Sequence, residues 1–282
     1  MGKMEVSRTT RRPQGTSGRL TLKPVPTTES PLETRLRALT PARVFAARHG
    51  GALSTKDWLS LRADHASARD AVFQESNPST LFFDDSCYEV PLVVSSQAIT
   101  HAEYLLRPDL GRKLLPPDRN RIAAECPKGA ELQILLADGL SATALQKQGP
   151  KILKSLTTFA LADGWKLGRP IFLQRARVGI LNDIGSVLDP IVCVLLIGER
   201  PGLSTAESLS AYLAYQPKPG DTDANRNLIA SIYNGGIPIS DAAGRILNLA
   251  KTMRMAGQSG VGIREELPSL EHSGFSDDST LP

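Results

Sequence analysis

Two short turns carry the residue types best suited to binding a ligand. One has the sequence DGLS at residues 138–141 and the other GERPG at residues 198–202, and each follows an apolar run of strand length. In the second turn, Glu199 and Arg200 offer one charge of each sign between glycines that let the backbone approach a ligand. Asp, Gly and Ser are also ordinary turn and cap residues. The first turn is therefore explained equally well by structure alone, and the second is the stronger binding candidate.

Several kinds of catalytic and metal site lack their sequence signatures. The chain contains no G-x-G-x-x-G, no G-x-x-x-x-G-K-[ST] and no G-x-S-x-G motif, which argues against dinucleotide binding, phosphate-loop chemistry and hydrolase chemistry. The four histidines form no metal-binding pair. The three cysteines are odd in number and share no ligand spacing, which is typical of a reducing compartment. We assign no metal site and expect no disulfide framework.

The overall composition is that of a folded protein in water. Of 282 residues, 41% are hydrophobic and 22% are charged, and the net charge is +4. Residues 1–23 carry an excess of five positive charges and residues 264–282 an excess of four negative charges, so the body between them is nearly neutral. No run approaches the roughly 18 apolar residues of a membrane span, and the first residues lack the apolar region typical of a signal peptide. We expect a cytoplasmic protein that binds neither nucleic acid nor membrane.

Composition and periodicity divide the chain into four segments. Residues 1–33 predict a disordered basic arm and residues 263–282 a disordered acidic tail, because neither shows a helical or strand period. Residues 34–130 predict a mainly helical N-terminal region, within which residues 75–98 fit either a strand or a loop. Residues 131–262 alternate apolar runs with helical spacing and predict an α/β domain.

In this domain we predict strands at residues 132–137, 170–175, 191–197 and 209–215, and helices at residues 141–163, 178–188 and from Ser240 onward. Pro150 predicts a break in the first helix, and Ser204-x-x-Glu207 has the capping-box pattern of a helix start. The alternation favours parallel βαβ units in a doubly wound, mostly parallel sheet. Ligands bind such sheets beyond the carboxyl ends of the strands, where both turns lie.

The motifs form a specific set when they are taken together. They are DHAxARDAV at residues 64–72, YLLRPDLGR at 104–112, DGLS at 138–141, GERPGLxxxESLS at 198–210 and IxxGGxP at 232–238. In these motifs, over roughly residues 35–260, the chain resembles the small (light) subunit of ethanolamine ammonia-lyase. The basic arm and the acidic tail lie outside the resemblance.

The resemblance implies part of an adenosylcobalamin-dependent lyase that converts ethanolamine to acetaldehyde and ammonia by a radical mechanism. It implies a Rossmann-like domain over residues 131–262, which contacts the corrin at positions matching Val178, Glu199 and Leu228. Relatives can carry cysteine at the last position. The resemblance places the radical site and most of the ethanolamine binding in a TIM-barrel large subunit. We therefore expect no catalytic residue in this chain and a hetero-oligomer of several large–small pairs.

Three finer expectations accompany the resemblance. No Asp-x-His-x-x-Gly segment is present, so we expect the cobalamin to bind with its own base on cobalt. Arg107, Asp109 and Arg112 suit either a network at the large-subunit interface, which we favour, or a solvated local ion pair. The family leaves open a location inside a bacterial microcompartment, although the arm lacks the apolar helical face of an encapsulation peptide.

Two other functional classes stay open from the residues alone. A stand-alone α/β domain would bind a nucleotide-like ligand at the Asp138 and Glu199 turns and act on a substrate without another protein. A purely structural subunit would assemble with a partner without changing its affinity for a cofactor. A cofactor-binding subunit, in contrast, would need both its partner and cobalamin.

Overall fold

The computed structural model describes residues 30–40, 42, 44, 46, 48–81 and 88–265. Most of the predicted basic arm, most of the acidic tail and Cys87 lie outside these residues. The helices of the described part are α1 (Pro31–Leu39), α2 (Thr55–Phe73), α3 (Pro78–Leu81), α4 (His101–Leu106), α5 (Pro116–Glu125), α6 (Ala142–Ala162), α7 (Ile180–Leu188) and α8 (Ile239–Ala256). The strands are β1 (Arg48–His49), β2 (Ala52–Leu53), β3 (Leu92–Ser95), β4 (Leu132–Ala137), β5 (Ile171–Gln174), β6 (Val192–Gly198), β7 (Leu209–Tyr215) and β8 (Asn227–Ile232).

Six of these strands form one mixed sheet in the order β3-β5-β4-β6-β7-β8. The pairs β3/β5, β5/β4 and β4/β6 are parallel, whereas β6/β7 and β7/β8 are antiparallel. The short strands β1 and β2 pair separately. The predicted α/β class is confirmed, and the parallel part of the sheet comprises four strands. The closer relation to Rossmann folds stays a prediction.

Helices cover both faces of this sheet. On one face, α6 and α8 contribute Leu156 and Ile246 to a core that includes Ile134 of β4. On the other face, α5 and α7 contribute Ile122 and Ile184 to a core that includes Leu135. All six residues of β4 are buried, because successive side chains point to opposite and equally covered faces. This arrangement explains why five of the six strand residues are apolar. The exception is Gln133, whose side-chain amide donates to the Arg169 carbonyl at 2.7 Å.

The helix α6 leaves β4 and runs without a break through Pro150. The hydroxyl of Ser141 caps its first turn by accepting a hydrogen bond from the Ala144 N–H at 3.1 Å. The predicted break is wrong. Leu145 before the proline and Ile152 after it are buried in the same core, so packing against the sheet keeps both halves in line although one helical N–H is missing.

Two segment boundaries differ from the sequence prediction. The edge strand β3 pairs with β5, so the sheet begins at Leu92 and not at residue 131. Turn residues interrupt the strand pattern there, and the partner strand lies far along the chain. The helix α1 begins at Pro31, inside the predicted arm, because the Ser30 hydroxyl and the Glu33 carboxylate form a reciprocal capping box.

Two further differences lie near the end of the sheet. The Ser204-x-x-Glu207 pattern starts no helix, because Glu207 pairs with Lys147 of α6 and the chain then enters β7. The strand β8 was not predicted, since its buried and exposed residues do not alternate regularly. A register shift in its pairing with β7 accompanies this irregular pattern.

The strand order opens a crevice at the carboxyl ends of β4 and β6. The chain leaves β4 toward β5 on one side and leaves β6 toward β7 on the other side. Neighbouring strands whose connections diverge in this way leave space for a ligand between the loops. The turns at residues 138–141 and 198–202 both begin at this edge.

Candidate functional site

A cleft of about 330 Å³ lies at this crevice and contains all three residues that the sequence resemblance assigned to cofactor contact. Val178 comes from the loop before α7, Glu199 from the end of β6, and Leu228 from β8. The complete lining is Tyr104, Gly139, Leu140, Arg177, Val178, Ile197, Gly198, Glu199, Arg200, Ser210, Tyr212, Leu228 and Ala230. The fold thus brings together positions from three separate parts of the chain.

Two hydrogen bonds fix the Glu199 carboxylate in the cleft. Its Oε1 atom accepts from the Ser210 hydroxyl at 2.7 Å and from the Ser231 backbone N–H at 2.8 Å. Ser231 has a positive φ of 62°, which turns its N–H out of the regular ladder of β8. Within the described residues, Oε2 makes no hydrogen bond. Glu199 therefore holds one oxygen available as an acceptor for a ligand N–H group.

Apolar side chains form the rest of the contact surface. Leu228 is 48% exposed although it lies in the sheet, where it is in register with Tyr212 of β7. Val178 is half-buried and packs against the core on the α7 side. These side chains present an apolar surface next to the Glu199 carboxylate, a combination suited to a ligand with an apolar body and polar edges.

The two turns support each other through their backbones. The Leu140 N–H donates to the Gly198 carbonyl at 3.1 Å. A Cβ atom at Gly198 would collide with the backbone carbonyls of Asp138 and Ser141, and Gly139 has a positive φ of 59°. Glycine is required at both positions, at one by close backbone approach and at the other also by conformation.

Asp138 does not line the cleft, and its carboxylate instead forms hydrogen bonds within the protein. Its carboxylate accepts the Arg175 N–H through both oxygens, at 2.8 and 3.1 Å, and so holds the loop between β5 and α7. Arg175 has a positive φ of 52°. Burial raises the pKa of Asp138 to about 6. The structural explanation of the first turn is therefore sufficient for Asp138, while its neighbours Gly139 and Leu140 face the cleft.

The family model for the ethanolamine ammonia-lyase light chain matches residues 31–264. The chain belongs to this family. Among curated relatives, the ethanolamine ammonia-lyase small subunit of Clostridium acetobutylicum is 39% identical, over 81% of this chain and 93% of the relative. The small subunits of Ralstonia nicotianae and Azotobacter vinelandii are 36% and 38% identical, over 88% and 86% of this chain and 94% and 90% of the relatives. The resemblance seen in the motifs is confirmed.

The light-chain motif at residues 104–112 contributes Tyr104 to the wall of the cleft, next to Arg177. Tyr104 is buried, its hydroxyl donates to the Ala176 carbonyl at 3.2 Å, and burial raises its pKa. The Arg177 guanidinium lies 4.2 Å from the centre of the Tyr104 ring and donates to the Tyr104 carbonyl at 2.9 Å. Sequence reasoning missed both residues. The signal that could have found this wall was the motif at residues 104–112, which carries an aromatic residue, Tyr104, and a glycine, Gly111, but had no binding role assigned to it.

The charged residues of this light-chain motif separate in the structure. Arg107 and Asp109 form a two-point ion pair at 3.0 and 2.8 Å, and their side chains are 61% and 58% exposed. The hydrogen bond from Arg107 lowers the pKa of Asp109. Arg112 takes no part in this pair and lines a neighbouring cleft. The local ion pair exists as one sequence alternative proposed, and the large-subunit interface stays a prediction.

The described residues hold neither a candidate metal cluster nor a helix that could span a bilayer. They contain no cluster of three or more His, Cys, Asp or Glu side chains that could hold a metal ion. None of their helices is both long and apolar enough to cross a bilayer. Cys126 and Cys193 are buried free thiols, and burial raises the pKa of each.

Proposed function

We propose that this chain is the cobalamin-contacting small subunit of an adenosylcobalamin-dependent ethanolamine ammonia-lyase. The observation that carries the proposal is the convergence of Val178, Glu199 and Leu228 in one cleft at the carboxyl edge of the sheet. Family membership supplies the activity, the conversion of ethanolamine to acetaldehyde and ammonia. The cleft supplies the place where this chain would meet the cofactor.

The residues of the cleft fit a corrin. A corrin is a large, mainly apolar ring whose edge carries amide side chains. Val178 and Leu228 offer apolar contact to the ring, and the Oε2 atom of Glu199 can accept a hydrogen bond from an edge amide. The cleft is smaller than the cofactor, so most of a bound corrin would project beyond this chain. A second protein covering that exposed part agrees with the proposed large subunit.

Each residue has a binding role in this proposal. When bound, adenosylcobalamin supplies the radical by homolysis of its cobalt–carbon bond. Glu199 orients one edge of the ring, because Ser210 and Ser231 fix the carboxylate before the ligand arrives. Val178 and Leu228 exclude water from the ring surface that they cover. Ethanolamine and the reacting atoms belong to the TIM-barrel large subunit in this arrangement, and several large–small pairs make up the enzyme.

We also propose that cobalamin binds with its own base on cobalt. Among the described residues that line the cleft there is no histidine to replace that base. The electron paramagnetic resonance spectrum of a complex reconstituted with cob(II)alamin tests this point directly, because it shows which nitrogen is bound to cobalt. Nitrogen coupling from the dimethylbenzimidazole base is expected, and coupling from a protein histidine would contradict the proposal.

The decisive experiment measures acetaldehyde release from ethanolamine. This chain alone, the large subunit alone and the mixture are each assayed with and without adenosylcobalamin. Activity only in the complete mixture is expected. Turnover by this chain alone would favour the stand-alone enzyme. A complex that assembles but binds cobalamin no better than the large subunit alone would favour a purely structural role.

A further inference from the structure

A second cleft, of about 610 Å³, adjoins the first and shares Arg177 and Val178 with it. It lies between the 3-10 helix Leu110–Arg112, the start of α7 and the loop at residues 219–226. A ligand that contacts Val178 in the first cleft can therefore extend directly into the second one.

The second cleft has an excess of unpaired positive charge. Three of its charged residues are neutralised locally, since Arg226 pairs with Asp223, and Asp183 pairs with Arg119 behind the wall. The remaining carboxylate of the lining, Asp221, accepts the Lys218 N–H at 2.9 Å and offsets one positive charge. Three other cations that line this cleft form no ion pair with any described residue. These cations are Arg112, Lys113 and Arg177.

Arg177 is held in place without a carboxylate. Its guanidinium rests 4.2 Å from the centre of the Tyr104 ring, and Nη2 donates to the Tyr104 carbonyl at 2.9 Å. Its backbone N–H donates to the Gly111 carbonyl at 2.8 Å, and a Cβ atom at Gly111 would lie 2.7 Å from its Cγ. Nε is buried without a partner, and Nη1 makes no hydrogen bond with any described residue. A guanidinium fixed in this way is preorganised to bind an anion.

We propose that Arg177 binds the phosphodiester of the cofactor's nucleotide tail, with Arg112 and Lys113 adding positive charge around it. This proposal rests on the proposed function and extends it from the first cleft to the second. The corrin edge would contact Glu199 while the tail enters the second cleft past Val178. Both clefts share Arg177, which would recognise the only negatively charged group of the tail.

The test compares two corrinoids that differ only in the phosphate, cobinamide and cobinamide phosphate. Their dissociation constants are measured by absorbance titration of the complex with the large subunit, so no catalytic turnover is needed. The unaltered complex should bind cobinamide phosphate more tightly. Arg177→Gln should remove roughly 10- to 100-fold of that preference, the range for a hydrogen bond to a charged group. Its affinity for cobinamide should stay nearly unchanged.

A matched control is Arg254→Gln. Arg254 also lies over an aromatic ring, 5.1 Å from the centre of Trp165, but it pairs with Glu131 before β4 and so lies at the opposite edge of the sheet. This variant should retain the full phosphate preference. Arg177→Lys should retain part of the preference, because it keeps the charge and loses the planar fork.

An unchanged phosphate preference in an assembled Arg177→Gln complex would overturn the proposal. If that variant does not assemble, the double variant R112Q/K113Q decides, because both side chains are exposed. Loss of part of the phosphate preference in this variant supports the proposal, and full retention overturns it. Failure of the unaltered complex to bind any corrinoid would instead refute the proposed function.

Discussion

Replacing Glu199 by alanine should weaken cobalamin binding to the assembled enzyme. The change removes the acceptor atom Oε2 that faces the ligand, and it leaves the Ser210 hydroxyl and the Ser231 N–H without their acceptor. Loss of one such hydrogen bond costs about 1 to 3 kcal/mol. This corresponds to a dissociation constant raised by roughly 5- to 150-fold.

The conservative variant Glu199→Gln separates the two parts of this effect. Its amide oxygen can keep accepting from Ser210 and Ser231, so the loop stays ordered while the charge and one acceptor are lost. We expect an affinity between those of the unaltered chain and Glu199→Ala. Glu207→Ala is the control, because this carboxylate pairs with Lys147 and lies outside the cleft.

The assay is a titration of each assembled complex with adenosylcobalamin, followed by the absorbance of the corrin. Assembly with the large subunit is checked first by size-exclusion chromatography, and it should be unaffected by all three variants. An unchanged dissociation constant for an assembled Glu199→Ala complex would show that the Glu199 carboxylate makes no hydrogen bond to the cofactor and would refute its proposed role. Equal weakening by the Glu207→Ala control would refute the assignment to this cleft.

Three other predictions follow from the geometry around the cleft. Gly111→Ala should lower the free energy of unfolding by about 1 to 3 kcal/mol in urea titrations, because its Cβ would lie 2.7 Å from the Arg177 Cγ. An unchanged free energy of unfolding would show that the Arg177 side chain moves aside freely and would contradict its fixed position. Asp138 has a folded-state pKa of about 6, above its unfolded value near 4, so its contribution to stability should fall as pH rises through that window. The difference in stability between the unaltered chain and Asp138→Asn, measured from pH 4 to 7, should decrease accordingly, and a rising difference would contradict the burial argument. At the exposed Arg107–Asp109 pair, Asp109→Asn should leave the free energy of unfolding nearly unchanged in urea titrations, because solvent screens the pair. Double-mutant cycles with the large subunit should show coupling to Arg107 if the predicted interface exists, and no coupling would remove that prediction.

The strands that build the centre of the sheet could be read from local sequence. The largely apolar run at β4 and the continuous apolar run at β6 predict strands buried on both faces, and β7 also falls at its predicted residues. Glu199 was identified as a binding candidate because its charge stands in a glycine-flanked turn. These features depend on neighbours in the chain, so periodicity and turn chemistry are sufficient to predict them.

Other features depend on contacts between distant residues. The edge strand β3 is defined by its pairing with β5, and the helix α6 continues through Pro150 because the sheet holds both halves. The pattern at Ser204 satisfies the rule for a helix cap, yet Glu207 has its partner in another helix. In each case the structure follows the tertiary contact and not the local preference, because local preferences are weak and tertiary context overrides them.

The sequence by itself determined the α/β class, the central strands and, through its motifs, the light-chain family. Only the tertiary structure decided that Val178, Glu199 and Leu228 line one cleft, and that Arg177 stands between this cleft and a second one. The reason is physical. Local patterns specify which face of an element is apolar, whereas the meeting of loops at one sheet edge follows from strand order and from packing on both faces.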